Sequence, residues 1–239
     1  LSAPERAFPP ASRPSLRIEV LERTGIPFYV QFTLTPYGVE LEPRVPPVDR
    51  AVETFLRLSG RIGPDRVVWR YDPILLGGGW EIRDHLRSFE ALALRLAGAT
   101  RRCTLSFLDF YPRIRRRLER MGLREIAPEE RALLAEGILR IARPLGIRAD
   151  LCAEPPGPGL EGIPRARCVD PVLLGFSTDE GASFRRDRNQ RPCCGCAPSA
   201  DIGAYGTCGH GCRYCYAGSG DGRPDRGLRS DPLSPLPNG

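Results

Sequence analysis

The sequence predicts an α/β protein: a partial, barrel-like parallel sheet of about four βα units, followed by a C-terminal cysteine-rich loop region. Three observations predict it. Short β-rich runs alternate with amphipathic helical stretches from Ser15 onward. Strand starts recur about every 40 residues, which suits βα units with moderately long loops. The alternation stops after Ala153, and six of the nine cysteines then fall between positions 193 and 215.

The elements follow in order. Residues 1–14 carry four Pro and read as a disordered lead. Ser15–Thr24 places Leu16, Val20 and Leu21 at helical spacing, with Gly25 as a stop. Pro27–Leu34 is rich in aromatic and β-branched residues and reads as a strand. Val48–Ile62 reads as a helix started by Pro46-Pro47, and Arg66–Tyr71 as a second strand. Glu81–Ala97 is a helix with Leu86, Phe89, Leu92 and Leu96 on one face. Cys103–Leu108 is a third strand. Pro128–Arg143 is a helix turning Leu133, Leu134, Ile138 and Ile141 inward, and Ile147–Ala153 is a fourth strand. The expected organisation is a partial βα barrel over 15–155, a cysteine-rich, cluster-binding region packed on it over 156–217, and an extended tail over 218–239.

Composition excludes several classes. The chain has 239 residues, 41% of them hydrophobic, which is enough to bury a core. No apolar run approaches the roughly 20 residues of a membrane helix. No short period recurs, so collagen, coiled coils and repeat arrays are out. The net charge is +6, and all 35 basic residues are Arg. With Arg, Pro, Gly and Ala all abundant, that bias fits GC-rich coding. The runs at 113–117 and 185–191 therefore read as solvated faces, and nucleic acid is not an expected partner. An odd cysteine count in a chain of this length argues against a disulfide framework. No signal-peptide pattern is visible, so a cytoplasmic, metal-binding protein is the expectation. His85, at a helix start, reads as an ordinary side chain. No GxSxG, Walker loop or GxGxxG occurs, so hydrolase, nucleotidase and Rossmann readings have no support.

The chemical signal is Cys208-Gly-His-Gly-Cys212-Arg-Tyr-Cys215, a C-x3-C-x2-C spacing. Three thiolates on one tight loop can hold three corners of a [4Fe–4S] cluster, with Gly209 and Gly211 easing the wrap. The fourth iron is then left for S-adenosyl-L-methionine, which would bind through its amino and carboxylate groups. The alternative is a zinc knuckle in a non-catalytic structural or interaction module, with His210 as a further ligand. Cys152, Cys168, Cys194 and Cys196 form a second candidate group, matching either another Fe–S cluster or zinc. Cys103 and Cys193 carry no assigned role.

Polar residues at strand ends suggest a pocket, because active sites on parallel βα folds gather there. Strand alternation puts Gln31 with Thr33 and Arg70 with Asp72. Ser106, Asp109 and Glu154 complete a candidate lining for cofactor and substrate. The opposing reading is that Arg70 and Asp72 serve as salt bridges within the barrel.

The triad, with Tyr214 just before its last Cys, resembles the signature of the radical S-adenosylmethionine superfamily. The stretch Gly25–Gly239 resembles a bacterial family, domain of unknown function 1848, noted for a similar C-terminal cysteine cluster. The matching pieces are PFYVQFTLTPYG (27–38), VVWRYDPIL (67–75), SFLDFY (106–111), Cys152-Ala153-Glu154, Cys168-Val169-Asp170, Cys194-Gly195-Cys196, DIGAYGTC (201–208), GCRYCYA (211–217) and DPLSPL (231–236). The resemblance implies a cluster-dependent enzyme in full-length members, served by a flavodoxin- or ferredoxin-like electron donor. It also implies that this chain lacks an N-terminal part, since members begin with segments that look like further barrel strands. They place the triad near the C-terminus, whereas radical enzymes place it after the first strand.

Overall fold

The computed structural model describes residues 14–176, 185–203 and 205–218. The expected lead and tail lie, apart from Pro14 and Gly218, outside the described residues. Five helices are described: α1 (Pro14–Thr24), α2 (Val48–Ile62), α3 (Ile82–Leu96), α4 (Pro112–Arg120) and α5 (Pro128–Ala142). Six strands are described: β1 (Val30–Thr33), β2 (Val67–Ile74), β3 (Leu76–Gly77), β4 (Arg102–Phe107), β5 (Leu123–Arg124) and β6 (Arg148–Leu151). The main sheet has the order β1-β2-β4-β6, and every neighbouring pair is parallel. A short antiparallel pair, β3 with β5, stands apart from it.

Strand order that follows chain order, with every long helix on one face, is the winding of a barrel segment. A doubly wound sheet would reverse direction and place helices on both faces. The sheet is open, and its helix-facing residues are apolar. Trp69, Tyr71, Cys103, Leu105, Ala149 and Leu151 pack against Val52 and Phe55 of α2, Phe89 and Leu96 of α3, and Leu134 and Ile138 of α5. Trp69 stacks on Phe89 with ring centroids 4.7 Å apart, and its indole N–H donates to the Leu34 carbonyl at 2.9 Å. Gly137 lets α5 approach α3, since a Cβ there would lie 2.5 Å from the Leu86 side chain.

Several expectations are corrected. β1 is shorter than Pro27–Leu34, and β2 runs on past Tyr71 to Ile74, across a register irregularity between Tyr71 and Ile74. The last strand ends at Leu151, before Ala153. Leu133 is exposed and Ile141 only half-buried, because the buried stripe of α5 runs through Leu134, Ala135, Ile138 and Ala142. α1 leaves Val20 and Leu21 exposed and turns Ile18 to the core. Helix α4 and the β3–β5 pair were not expected. In α4 the Arg run hides a two-residue apolar stripe, Ile114 and Leu118, behind a Pro at the helix start. The crossing of β3 and β5 depends on Gly77, at φ +88°, where a Cβ would meet the Gly122 carbonyl oxygen at 2.2 Å.

His85, read from the sequence as an ordinary side chain, is fully buried. Its Nε2 faces the Leu75 carbonyl at 2.6 Å and so must carry the proton, which leaves Nδ1 to accept from the Tyr71 hydroxyl at 3.0 Å. Burial holds its pKa down at about 4. The unfolded ring protonates near 6.5, so stability is complete above that pH and falls as pH drops towards 4. The loss amounts to about 3 kcal/mol. Urea unfolding under reducing conditions at pH 7 and pH 4.5 should show a smaller drop for His85→Gln than for the parent chain. Equal drops would mean that His85 is not the titrating group.

Candidate metal centre and polar face

The face of the sheet turned away from the helices is polar, and Arg70 is its hub. Its Nε donates to Asp72 Oδ2 at 3.0 Å and one terminal nitrogen donates to Gln31 Oε1 at 2.8 Å. That same nitrogen lies 3.0 Å from Cys168 Sγ, and the other lies 3.8 Å from Cys152 Sγ. Burial opposes the charge on Arg70, but Asp72, Cys168 and Cys152 more than offset it, so its pKa is raised. Ser106 donates its hydroxyl to the second oxygen of Asp72. Beside them, Thr104 donates to Asp150 at 2.7 Å. Gln31, Arg70, Asp72 and Ser106 thus form one bonded network with two of the cysteines. Thr33 ends β1 exposed, with no bond to this network among the described residues.

Asp109 and Glu154 stand outside the network. Glu154 accepts from the Phe107 N–H at 2.9 Å and from Arg131 at 3.1 Å. Burial raises its pKa against those donors. Asp109 pairs with Arg191 at 2.7 Å. Between Cys152 and Glu154, Ala153 takes φ +53°, a left-handed conformation rare for a residue with a Cβ. It turns the chain at the point where the strand ends and the cysteine-rich region begins.

That region covers the polar face without regular structure. Among the described residues no helix or strand follows Leu151. Cys168 anchors it, its carbonyl accepting from Tyr29 and from Gln31, both at 2.6 Å. Arg102 holds Asp170 at 2.6 Å, and the Ala197 N–H donates to the Val169 carbonyl at 3.1 Å. The four cysteines of the second group meet here. Sγ of Cys152 and Cys168 are 3.6 Å apart. The Cys168 N–H points to Cys196 Sγ at 3.1 Å, and the Cys196 N–H to Cys194 Sγ at 3.5 Å. Hydrogen bonds from Cys168 draw the thiols of Cys152 and Cys196 down, to about 7 and about 5, while that of Cys168 is pushed up. Burial pushes the Cys194 thiol up to about 11, so two sulfurs of the group ionise more readily than a free thiol and two less readily.

Cys208, Cys212 and Cys215 lie on a separate loop. Cys208 and His210 are exposed, and the other two cysteines are half-buried. The loop is tied to the C-terminal end of the sheet. Tyr214 donates its hydroxyl to the buried carboxyl of Glu42, which also accepts from Thr35 at 2.7 Å. The Tyr214 ring meets Tyr37 edge-on at 5.9 Å, and Tyr37 donates to the Pro73 carbonyl at 2.6 Å. The Arg213 N–H donates to the Leu41 carbonyl at 2.8 Å, and Arg117 of α4 donates to the Cys215 carbonyl at 2.7 Å. The run at 113–117 is thus a solvated face only in part. A turn closes from the Cys215 N–H to the Cys212 carbonyl at 3.1 Å, with Gly211 at φ +68°. Burial, with the charges of Glu42 and the two neighbouring cysteines, pushes the Cys212 thiol up to about 11. A cation binding there must displace that proton. Three soft thiol donors on one glycine-containing turn are chemically suited to an iron–sulfur cluster. Among the described residues, no three His, Cys, Asp or Glu side chains already stand around a common metal position.

A cavity of about 330 Å³ opens near the starts of β4 and β6, lined by Arg102, Arg148, Arg167, Asp150 and Asp170 among others. It lies at the opposite end of the strands from the triad loop. Sequence reasoning overlooked Tyr29, Glu42 and Arg117. Tyr29 lies in the matching segment 27–38, which carries no sign of its distant partner, Glu42 lies in a stretch without a motif, and Arg117 was submerged in its run.

Fold and site together define an open βα sheet whose polar face is covered by a cysteine-rich region. A family model described as "Domain of unknown function (DUF1848)" matches residues 11–217, and the chain belongs to that family. The match starts ahead of Gly25 and ends before the DPLSPL segment. No curated protein matches the chain, and no solved structure does. Among the described residues no helix is long and apolar enough to cross a membrane.

Tyr214→Phe removes one of the two hydroxyls that serve the buried Glu42. We expect a loss of about 1–3 kcal/mol in urea unfolding, together with faster proteolysis in the 205–218 loop. Unchanged proteolysis would show that the Glu42 bond does not hold the loop.

Proposed function

We propose that the chain is an iron–sulfur protein of the radical S-adenosylmethionine type, with Cys208, Cys212 and Cys215 as the cluster ligands. The observation that carries this reading is the seat of the C-x3-C-x2-C loop. It is bound through Tyr214, Arg213 and Cys215 to segments that follow β1 and β4, at the end of a parallel sheet where βα enzymes keep their chemistry. Three thiolates leave one iron of a [4Fe–4S] cluster open to S-adenosylmethionine, to which the bound cluster supplies an electron. The chain's own residues hold the ligands in place. Glu42 fixes the ring beside Cys215, Arg117 fixes its carbonyl, and Gly211 permits the turn between Cys208 and Cys212.

Asp72, Ser106, Asp109 and Glu154 belong to the ends of β2, β4 and β6 or the residues just after them, which supports their use as a polar wall beside the cofactor. Gln31 and Arg70 hold that wall through Asp72, and Thr33 extends it towards the open edge. A one-electron donor of flavodoxin or ferredoxin type is the implied partner, and the exposure of Cys208 supports access to the triad from outside.

Anaerobic reconstitution with iron and sulfide tests the proposal. The parent chain should take up about four iron and four sulfide beyond a Cys208→Ala/Cys212→Ala/Cys215→Ala variant. After reduction, its EPR signal should change when S-adenosylmethionine is added, and 5′-deoxyadenosine should form. Cys212→Ala alone should abolish the change. A cluster that forms in the parent chain but whose signal ignores the cofactor would overturn the radical reading. Equal iron uptake by parent and triple variant would overturn the ligand assignment.

A further inference from the structure

We infer that Cys152, Cys168, Cys194 and Cys196 bind one zinc-type divalent ion in a mononuclear tetrathiolate site, separate from the triad. Distance separates this from the other pairings open to thiols. The 3.6 Å between the sulfurs of Cys152 and Cys168 is far beyond a disulfide bond of about 2.05 Å. Two sulfurs on one tetrahedral ion, each about 2.3 Å from the metal, stand about 3.8 Å apart. Ligands of a cubane sit on different irons and are more widely spread. The observed separation therefore matches two ligands sharing one metal atom.

Donors and a cation face the sulfurs. Backbone N–H groups of Cys168 and Cys196 point at the sulfurs of Cys196 and Cys194, at 3.1 and 3.5 Å. Such donors stabilise a thiolate and orient a metal ligand. Four thiolates and one divalent ion carry two net negative charges, and Arg70 lies against the group, 3.0 Å from Cys168 Sγ. Cys194 and Cys196 are buried, and Ala153 and Val169 pack around the group as an apolar shell. What remains is to draw the sulfurs about a common centre, and each turns on a single Cα–Cβ bond.

The site also answers a structural need. The described residues beyond Leu151 form no helix or strand, so hydrogen-bonded ladders cannot order them. An ion held by Cys152 at the end of β6, by Cys168, and by the 194–196 turn would tie three distant points of that region to the sheet. Small or irregular regions commonly use structural zinc in this way.

Two variants of the full chain test it: Cys194→Ala/Cys196→Ala, and the triad variant Cys208→Ala/Cys212→Ala/Cys215→Ala. After incubation with zinc chloride and desalting, the parent chain and the triad variant should each hold about one zinc. The Cys194/Cys196 variant should hold at most a tenth of that. A chelator should lower the melting temperature of the first two and leave the third unchanged. Cobalt(II) added to the triad variant should give the intense visible bands of a tetrahedral tetrathiolate. The cobalt spectrum is taken on the triad variant and decides the matter even where the Cys194/Cys196 variant does not fold and has no melting temperature to compare. Absent bands, or zinc lost with the triad and kept without Cys194 and Cys196, would overturn the inference. Because the triad variant cannot build the proposed cluster, success or failure here is independent of the radical reading.

Discussion

The polar side of this protein is organised by one guanidinium. Arg70 projects from the second strand of the sheet into a space shared by a carboxylate, an amide and two sulfurs. A half-buried cation must be paired, because an isolated buried charge costs several kcal/mol. Arg70 meets that requirement with partners from four parts of the chain: Gln31 of β1, Asp72 of its own strand, Cys152 after β6, and Cys168 in the covering region. The planar, multi-donor geometry of Arg makes this fan possible; a Lys ammonium, a point charge on a flexible stem, would not reproduce it. The covering region is thereby registered against the sheet, although among its described residues there is no strand pairing beyond one bridge between Leu151 and Arg165.

The sheet has two unlike faces, and each does separate work. The helix side is a conventional apolar core built on Trp69, Phe89 and their neighbours. The other side carries Gln31, Arg70, Asp72, Thr104, Ser106 and Asp150, which would be an unstable choice if another layer of helices had to pack there. Cysteine-rich chain with many free backbone groups is a better match, because it can donate and accept. A second, smaller apolar cluster sits at the C-terminal strand ends, formed by Tyr37, Leu75, Leu108, Ile114 and Leu118, with Tyr214 packed against it. The triad loop thus has an apolar foothold as well as a polar one. Its position at the strand ends follows from the helix that supplies Ile114, Leu118 and Arg117.

The two cysteine groups differ in environment in ways that suit different tasks. The triad lies on a turn with one exposed and two half-buried thiols. The other four thiols are knit to backbone N–H groups and to Arg70, an arrangement of support rather than access. Glu154 and Asp109 lie between the two regions, each bound to an arginine, Arg131 and Arg191 respectively.

What the sequence by itself determined is the part governed by local periodicity. Four parallel strands and the helices at 48–62, 82–96 and 128–142 were legible because apolar side chains recur at 3.6 or 2 residues, and the Cys spacing put three cysteines on one loop before any contact was known. Pattern also grouped Arg70 with Asp72, since alternation alone puts both on one face. Only the tertiary structure decided the rest. Nothing in the text around Glu42 or Tyr29 shows that they would hold segments about 140 to 170 positions away. The helix at 112–120 was masked because its burial needs only two apolar residues, too few for a periodic signal. His85 read as an ordinary side chain because the charged residues beside it gave no sign that Tyr71 and Leu75 would enclose it. Hydrophobic periodicity is written residue by residue along the chain. The pairing of buried polar groups is not, because each one is settled by whichever distant donor or acceptor the finished fold brings within reach.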